Sequence, residues 1–169
     1  MTIRAHYEHD LAELQRRLLS LGETVERSIV SAVWALMHRD ASAARRVVRD
    51  DAVIDELRYD LEEHALRLLA LQQPLASDLR TISALMGLAS ELERIGDYAE
   101  GIAAVVLRSA ALADFEAPPL VYQMAQEARA MLRTALQAVV ERDAGAVERL
   151  ERADDQVDDL YQQVLQELL

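Results

Sequence analysis

Glu91-Leu92-Glu93-Arg94-Ile95-Gly96-Asp97-Tyr98-Ala99 lies late in a long run whose apolar residues return every three or four positions, the pattern of a helix with one buried face. Glu93 and Asp97 are four apart, so their carboxylates stack on one side of that helix. A second such pair, Asp51 and Asp55, stands upstream in Asp50-Asp51-Ala52-Val53-Ile54-Asp55. Between the pairs, Gln72-Gln73-Pro74 reads as a turn, because proline starts a helix well and cannot sit inside one. Counted from residue 73, Asp55 and Glu93 lie 18 back and 20 forward, and Asp51 and Asp97 lie 22 back and 24 forward. At about 1.5 Å per residue, an antiparallel helical hairpin brings all four acids to one level, roughly 27–36 Å from the turn. Four acids at one height repel unless a cation lies among them.

The rest of the composition agrees with long helices. The chain has 169 residues with five Gly, three Pro and one Phe, and β-branched and aromatic residues are too sparse for a sheet. The expected class is all-α. Cysteine is absent, which excludes disulfides and thiolate metal sites. A net charge of −12 argues against nucleic acid, whose phosphates need a basic footprint, and against docking to anionic lipid. The N-terminal stretch has no apolar run of signal-peptide type, and Gly101 to Leu107 is far short of the ~20 residues of a membrane span. The expectation is a soluble, cytoplasmic protein with no membrane insertion.

In chain order, the periodicity predicts helix 1 over about Ala5–His38, with Leu11, Leu14, Leu18, Leu21, Val25, Ile29, Ala32 and Leu36 inward and Gly22 a point of kinking or breakage. Asp40 is placed to cap helix 2, about Ala41–Leu71. Val47, Ile54, Leu57, Leu61, Ala65 and Leu68 form its stripe, and Asp51 falls where an apolar residue is expected. Helix 3, about Leu75–Ala111, has Leu79, Ile82, Met86 and Ala89 inward, then Glu93 interrupting the seam. Gly96 costs about 1 kcal/mol against alanine in mid-helix, which implies a packing purpose such as close helix approach. Pro118-Pro119 breaks the chain before helix 4 (about Leu120–Glu141) and helix 5 (Ala144 onward).

Helices 4 and 5 repeat helices 1 and 2 at a constant offset of 103. Arg39-Asp40-Ala41 returns as Arg142-Asp143-Ala144, Arg46 as Arg149, Arg49 as Arg152 and Leu57 as Leu160. Asp51 and Asp55 return as Asp154 and Asp158. The pattern is an internal duplication of a three-helix bundle. Residues 1–114 form the first copy and 115–169 the first two helices of the second. Equivalents of Glu93 and Asp97 would fall past Leu169. Leu160, Val164, Leu165 and Leu168 then need cover, either from another chain or from the first bundle.

Each acid pair taken alone is most simply a solvated helix face. Equal height across the hairpin, intrusion into apolar stripes and recurrence in the second copy together favour a metal. Carboxylates suit the hard cations Mg²⁺, Mn²⁺, Ca²⁺ or iron, with Zn²⁺ less favoured. No Glu-x-x-His occurs, against a di-iron oxidase, and His6, His9 and His64 read as solvated. No nucleophile elbow, phosphate-cradling glycine loop or Cys/His pair is present, so no enzyme is expected. Arg94 reads as a carboxylate partner, and Trp34, Met37, Met86, Met124 and Met131 as packing.

Gln72-Gln73-Pro74, Asp78-Leu79-Arg80 and the Glu91–Ala99 segment, after Asp51-x-x-x-Asp55, together resemble the PhoU family of phosphate-signalling regulators. The resemblance runs from about residue 6 to 169. It implies tandem three-helix bundles whose Glu/Asp-x-x-x-Asp motifs bind metal clusters: Asp51, Asp55, Glu93 and Asp97 here, with Asp154 and Asp158 in the second copy. It further implies a non-enzymatic negative regulator of phosphate uptake and of the phosphate-starvation response. Such a protein would form a homodimer and link the ATPase of the phosphate ABC transporter to a membrane sensor histidine kinase. The competing class is a purely structural helical bundle whose acids are only solvated.

Overall fold

The computed structural model describes residues 3–72, 74–109 and 116–169, with side chains described from Tyr7 onward and, before the turn, as far as Leu71. Among these residues there are five helices and no strand: α1 (Ile3–His38), α2 (Ala41–Gln72), α3 (Ala76–Ser109), α4 (Pro119–Glu141) and α5 (Ala146–Leu168). The all-α expectation holds, and α1 runs unbroken through Gly22. No described helix is long and apolar enough to cross a membrane. Gln73, the middle of the expected turn, and the expected domain boundary at residues 114–115 lie outside the described residues, as does the expected end of helix 3 at Ala111.

The α1–α2 hinge shows how local chemistry sets an element boundary. Arg39 takes a left-handed conformation with φ of 53°, and the Asp40 amide donates to the Ala35 carbonyl at 2.9 Å, closing α1. Asp40 then caps α2, its Oδ1 accepting from the amides of Ser42 at 2.8 Å and Ala43 at 2.9 Å. These bonds, that of Ala43 first, hold the Asp40 carboxyl below its ordinary range. The α4–α5 hinge repeats this closure at the offset read from the sequence. Arg142 has φ of 55°, and the Asp143 amide donates to Ala138 at 2.9 Å. The duplication is therefore visible in backbone geometry. The copies diverge one step later. Asp143 Oδ1 accepts from the Gly145 amide at 2.9 Å while Oδ2 takes Arg149 at 2.6 Å, and α5 begins at Ala146 rather than at the expected Ala144.

By packing, the chain resolves into two units, Met1–Val25 with Asp50–Asp97, and Glu26–Arg49 with Tyr98–Leu169. Each long helix contributes to both. The first has a core of long aliphatic side chains: Leu14, Leu18 and Leu21 from α1, Ile54 and Leu61 from α2, Ile82, Leu85 and Leu92 from α3. The second is built on small ones. Ala32, Ala35, Ala43, Ala44, Val47, Ala99, Ala103 and Val106 form one buried cluster. Alanine at such positions lets helices pack near the short end of the usual ~8–10 Å range.

Within the second unit α4 and α5 pack on each other, and Leu132, Ala146, Leu160 and Val164 are buried. Two residues of the stripe that needed cover thus find it within the chain, while Leu168 stays exposed. Glu26 of α1 is held by two arginines of α4. Arg129 Nη2 donates to its Oε1 at 2.7 Å and Arg133 Nε to its Oε2 at 2.9 Å. Glu26 and Arg129 are themselves related by the 103-residue offset, so duplicated positions face each other here.

Candidate metal site

Helices α2 and α3 meet closely at Gly96. A Cβ there would lie 2.9 Å from Ile54 Cδ1, 3.1 Å from Ile54 Cγ2 and 3.6 Å from Asp51 Oδ1. The absent side chain is thus what lets the two backbones approach, as the sequence anticipated. It also fixes the register: Gly96 stands opposite Asp51 and Ile54, with Glu93 three residues before it and Asp97 immediately after it. Asp51, Asp55 and Glu93 are half-buried and Asp97 is exposed. The hairpin therefore brings the acids of the two pairs to neighbouring levels of adjacent helices. Among the described residues, however, no three His, Asp or Glu side chains converge closely enough to hold a metal ion.

The seam differs in detail from the expected one. On α3 it runs Ile82, Leu85, Ala89, Leu92, Gly96, Ala99, Ala103 and Val106. Leu92 fills the position assigned to Glu93, Met86 is half-buried, and Leu79 is exposed. Glu93 flanks the seam instead of interrupting it, because the spacing of three and four alternates differently from the expected stripe. On α2 the order Val47, Asp51, Ile54, Arg58, Leu61, Ala65, Leu68 does put a charged residue in the stripe twice.

Arg58 is the half-buried charge beside the acids that the sequence did not single out. Its side chain is 16% exposed. Nη1 donates to Glu62 Oε1 at 2.7 Å, Nε lies 3.9 Å from Glu93 Oε1, and the guanidinium carbon is 4.1 Å from the Tyr59 ring centre. Burial, the largest single effect, opposes its charge, but the Glu62 hydrogen bond together with the charges of Glu62, Tyr59 and Glu93 outweighs it and raises the pKa. Its place seven residues after Asp51, on the same stripe of α2, was the available signal. Arg94, expected beside Glu93 and Asp97, bonds Glu91 at 3.0 Å.

Asp154 and Asp158 are both exposed on α5. His9 is exposed, and the side chain of His6 lies outside the described residues. His64 is half-buried, not solvated, with its Nε2 shielded. It adds to a field that holds Glu13 below its ordinary pKa, after the larger effect of the Arg16 hydrogen bond. Trp34 is 46% exposed and stacks on His38 with ring centres 4.3 Å apart.

The acid set suits a hard cation in kind: oxygen donors only, no thiolate, and a glycine cradle that lets the two donor helices close in. Comparison with known proteins bears on the same stretch. The family model described as PhoU domain matches residues 18–106 and 121–169. The chain is 33% identical over 167 residues to the phosphate-specific transport system accessory protein PhoU homolog of Clostridium acetobutylicum, spanning 98% of this chain and 76% of that one. To the homolog of Aquifex aeolicus it is 33% identical, over 95% of this chain and 72% of the other. The crystal structure of the phosphate transport system regulatory protein PhoU from Streptococcus pneumoniae superposes with a TM-score of 0.87 at 31% identity, covering 95% of this chain and 76% of that one. That of PhoU from Pseudomonas aeruginosa gives 0.86 at 31% identity, with 96% and 78% covered.

Proposed function

The chain belongs to the PhoU family, and from that premise we propose that it is an accessory protein in the regulation of phosphate transport whose α2–α3 acids hold a hard cation. The relatives' names support the transport role. The observation that carries the cation is Gly96, a helix-weakening residue kept where its missing Cβ brings Asp51 of α2 up to the Glu93–Asp97 turn of α3. Asp51, Asp55, Glu93 and Asp97 would supply the oxygens, with Asp154 and Asp158 as the corresponding half-site on α5. A bound cation supplies neutralising charge and a cross-link between α2 and α3. The chain supplies the register and the half-buried surroundings that strengthen the attraction.

The finer reading follows the resemblance. The protein acts as a non-enzymatic, cytoplasmic, homodimeric negative regulator, passing the state of the phosphate ABC transporter's ATPase to a sensor histidine kinase. A second reading, a purely structural bundle, is favoured by the exposure of Asp97 and the absence of a converged acid triad among the described residues.

Chelation separates them. A cation that binds only the folded chain raises its stability, so EDTA treatment should lower the melting temperature and Mn²⁺ should restore it. Asp51→Asn with Glu93→Gln should erase that dependence. A double variant that still responds fully to Mn²⁺ would move the cation elsewhere and leave the structural reading standing.

A further inference from the structure

We infer that Arg58 is a built-in competitor for the cation, holding Glu93 in the ion-free chain and displaced from it when a cation enters. This rests on the proposed cation site and names what regulates it. The geometry follows from the register at Gly96. In an antiparallel pair, Glu93 of α3 lies between Asp55 and Arg58 of α2, so its carboxylate has two alternative neighbours one helical turn apart. In this structure it faces Arg58, and the acids do not converge.

The hold is loose, as a competitor requires. Nε of Arg58 is shielded from solvent and makes no hydrogen bond, and at 3.9 Å the Glu93 oxygen is beyond bonding range. Nη1 meanwhile is anchored on Glu62, and the guanidinium rests on Tyr59. Arg58 therefore keeps its place when Glu93 turns away, and the exchange needs no movement of α2. A fixed positive charge one turn from the acids also lowers their affinity for any cation, by Coulomb repulsion in half-buried surroundings.

The test is Mn²⁺ affinity by calorimetry on the full chain. Arg58→Gln should bind about tenfold tighter than the natural protein, and Arg58→Lys, which keeps the charge, within about threefold of it. In a Glu93→Gln background the gain from Arg58→Gln should shrink to under about threefold, the signature of coupling between the two side chains. Loss of a merely structural arginine would weaken binding, the opposite sign. On the unaltered protein, titration with Mg²⁺ should move the Arg58 Nε–H resonance, a readout that stands even where a variant fails to fold. Equal or weaker affinity in Arg58→Gln, with Mn²⁺ still taken up through Glu93, overturns the competition and leaves the cation site intact. No saturable Mn²⁺ uptake by either protein removes the site and this inference with it.

Discussion

At the scale of single residues, Gly96 is tightly constrained by its neighbours on α2. Alanine there would regain about 1 kcal/mol of helix propensity but press on a fully buried Ile54, two effects of similar size and opposite sign. Valine removes the ambiguity, since it adds two further carbons and loses propensity. Gly96→Val should cost about 2 kcal/mol or more, seen as a lower urea midpoint with an unchanged slope. It should also weaken the response to Mn²⁺, because it pushes α2 and α3 apart at the acids. The purpose of Gly96 was legible in the sequence because a glycine in mid-helix is unfavourable and asks for a reason. Arg58 was not legible, because a long charged side chain on a helix reads as solvated unless its seam position is counted. Glu93 was misplaced by one residue for the same kind of reason. A stripe of threes and fours admits Leu92 and Glu93 alike, and only the partner helix decides between them.

At the scale of elements, the hinges were the best-read features, since their signals are local. Arg142 pays for its left-handed conformation without the freedom of glycine. Arg142→Gly should therefore raise stability by about 0.5–1 kcal/mol, measured by urea unfolding. What local signals could not show is that α4 is tied to α1 through Glu26, because a contact 103 residues away leaves no trace in periodicity. Hydrogen bonds from Arg133 first, and from Arg129, hold the Glu26 pKa below its usual value. A carboxylate whose folded pKa is depressed contributes stability above its unfolded pKa and loses it as pH falls through the folded one. The clamp is thus fully formed at neutral pH and released in acid, below about pH 4.5. Glu26→Gln should cost about 1 kcal/mol at pH 7, discounted for partial exposure, and much less at pH 3. Hydrogen exchange should locate the loosening in α4 and α5.

At the scale of the whole molecule, 30 acidic residues against 18 basic ones make self-repulsion a general burden on the folded state. Any salt relieves part of it by screening, so a rise in melting temperature with added cation does not by itself identify a site. Site binding and screening differ in form. Screening depends on ionic strength, does not saturate at low concentration, and acts alike on every variant of equal charge. Site binding saturates and adds about 2.7 kcal/mol at a hundredfold excess over the dissociation constant. At ionic strength matched with NaCl, MnCl₂ should therefore stabilise the natural chain by a saturable excess. Asp51→Asn with Glu93→Gln, less acidic by two charges, should melt higher in low salt yet gain nothing beyond screening from MnCl₂. If instead MnCl₂ gives the natural chain no saturable excess over NaCl at matched ionic strength, the acids on α2 and α3 act only as part of the surface charge, and Gly96 serves packing alone.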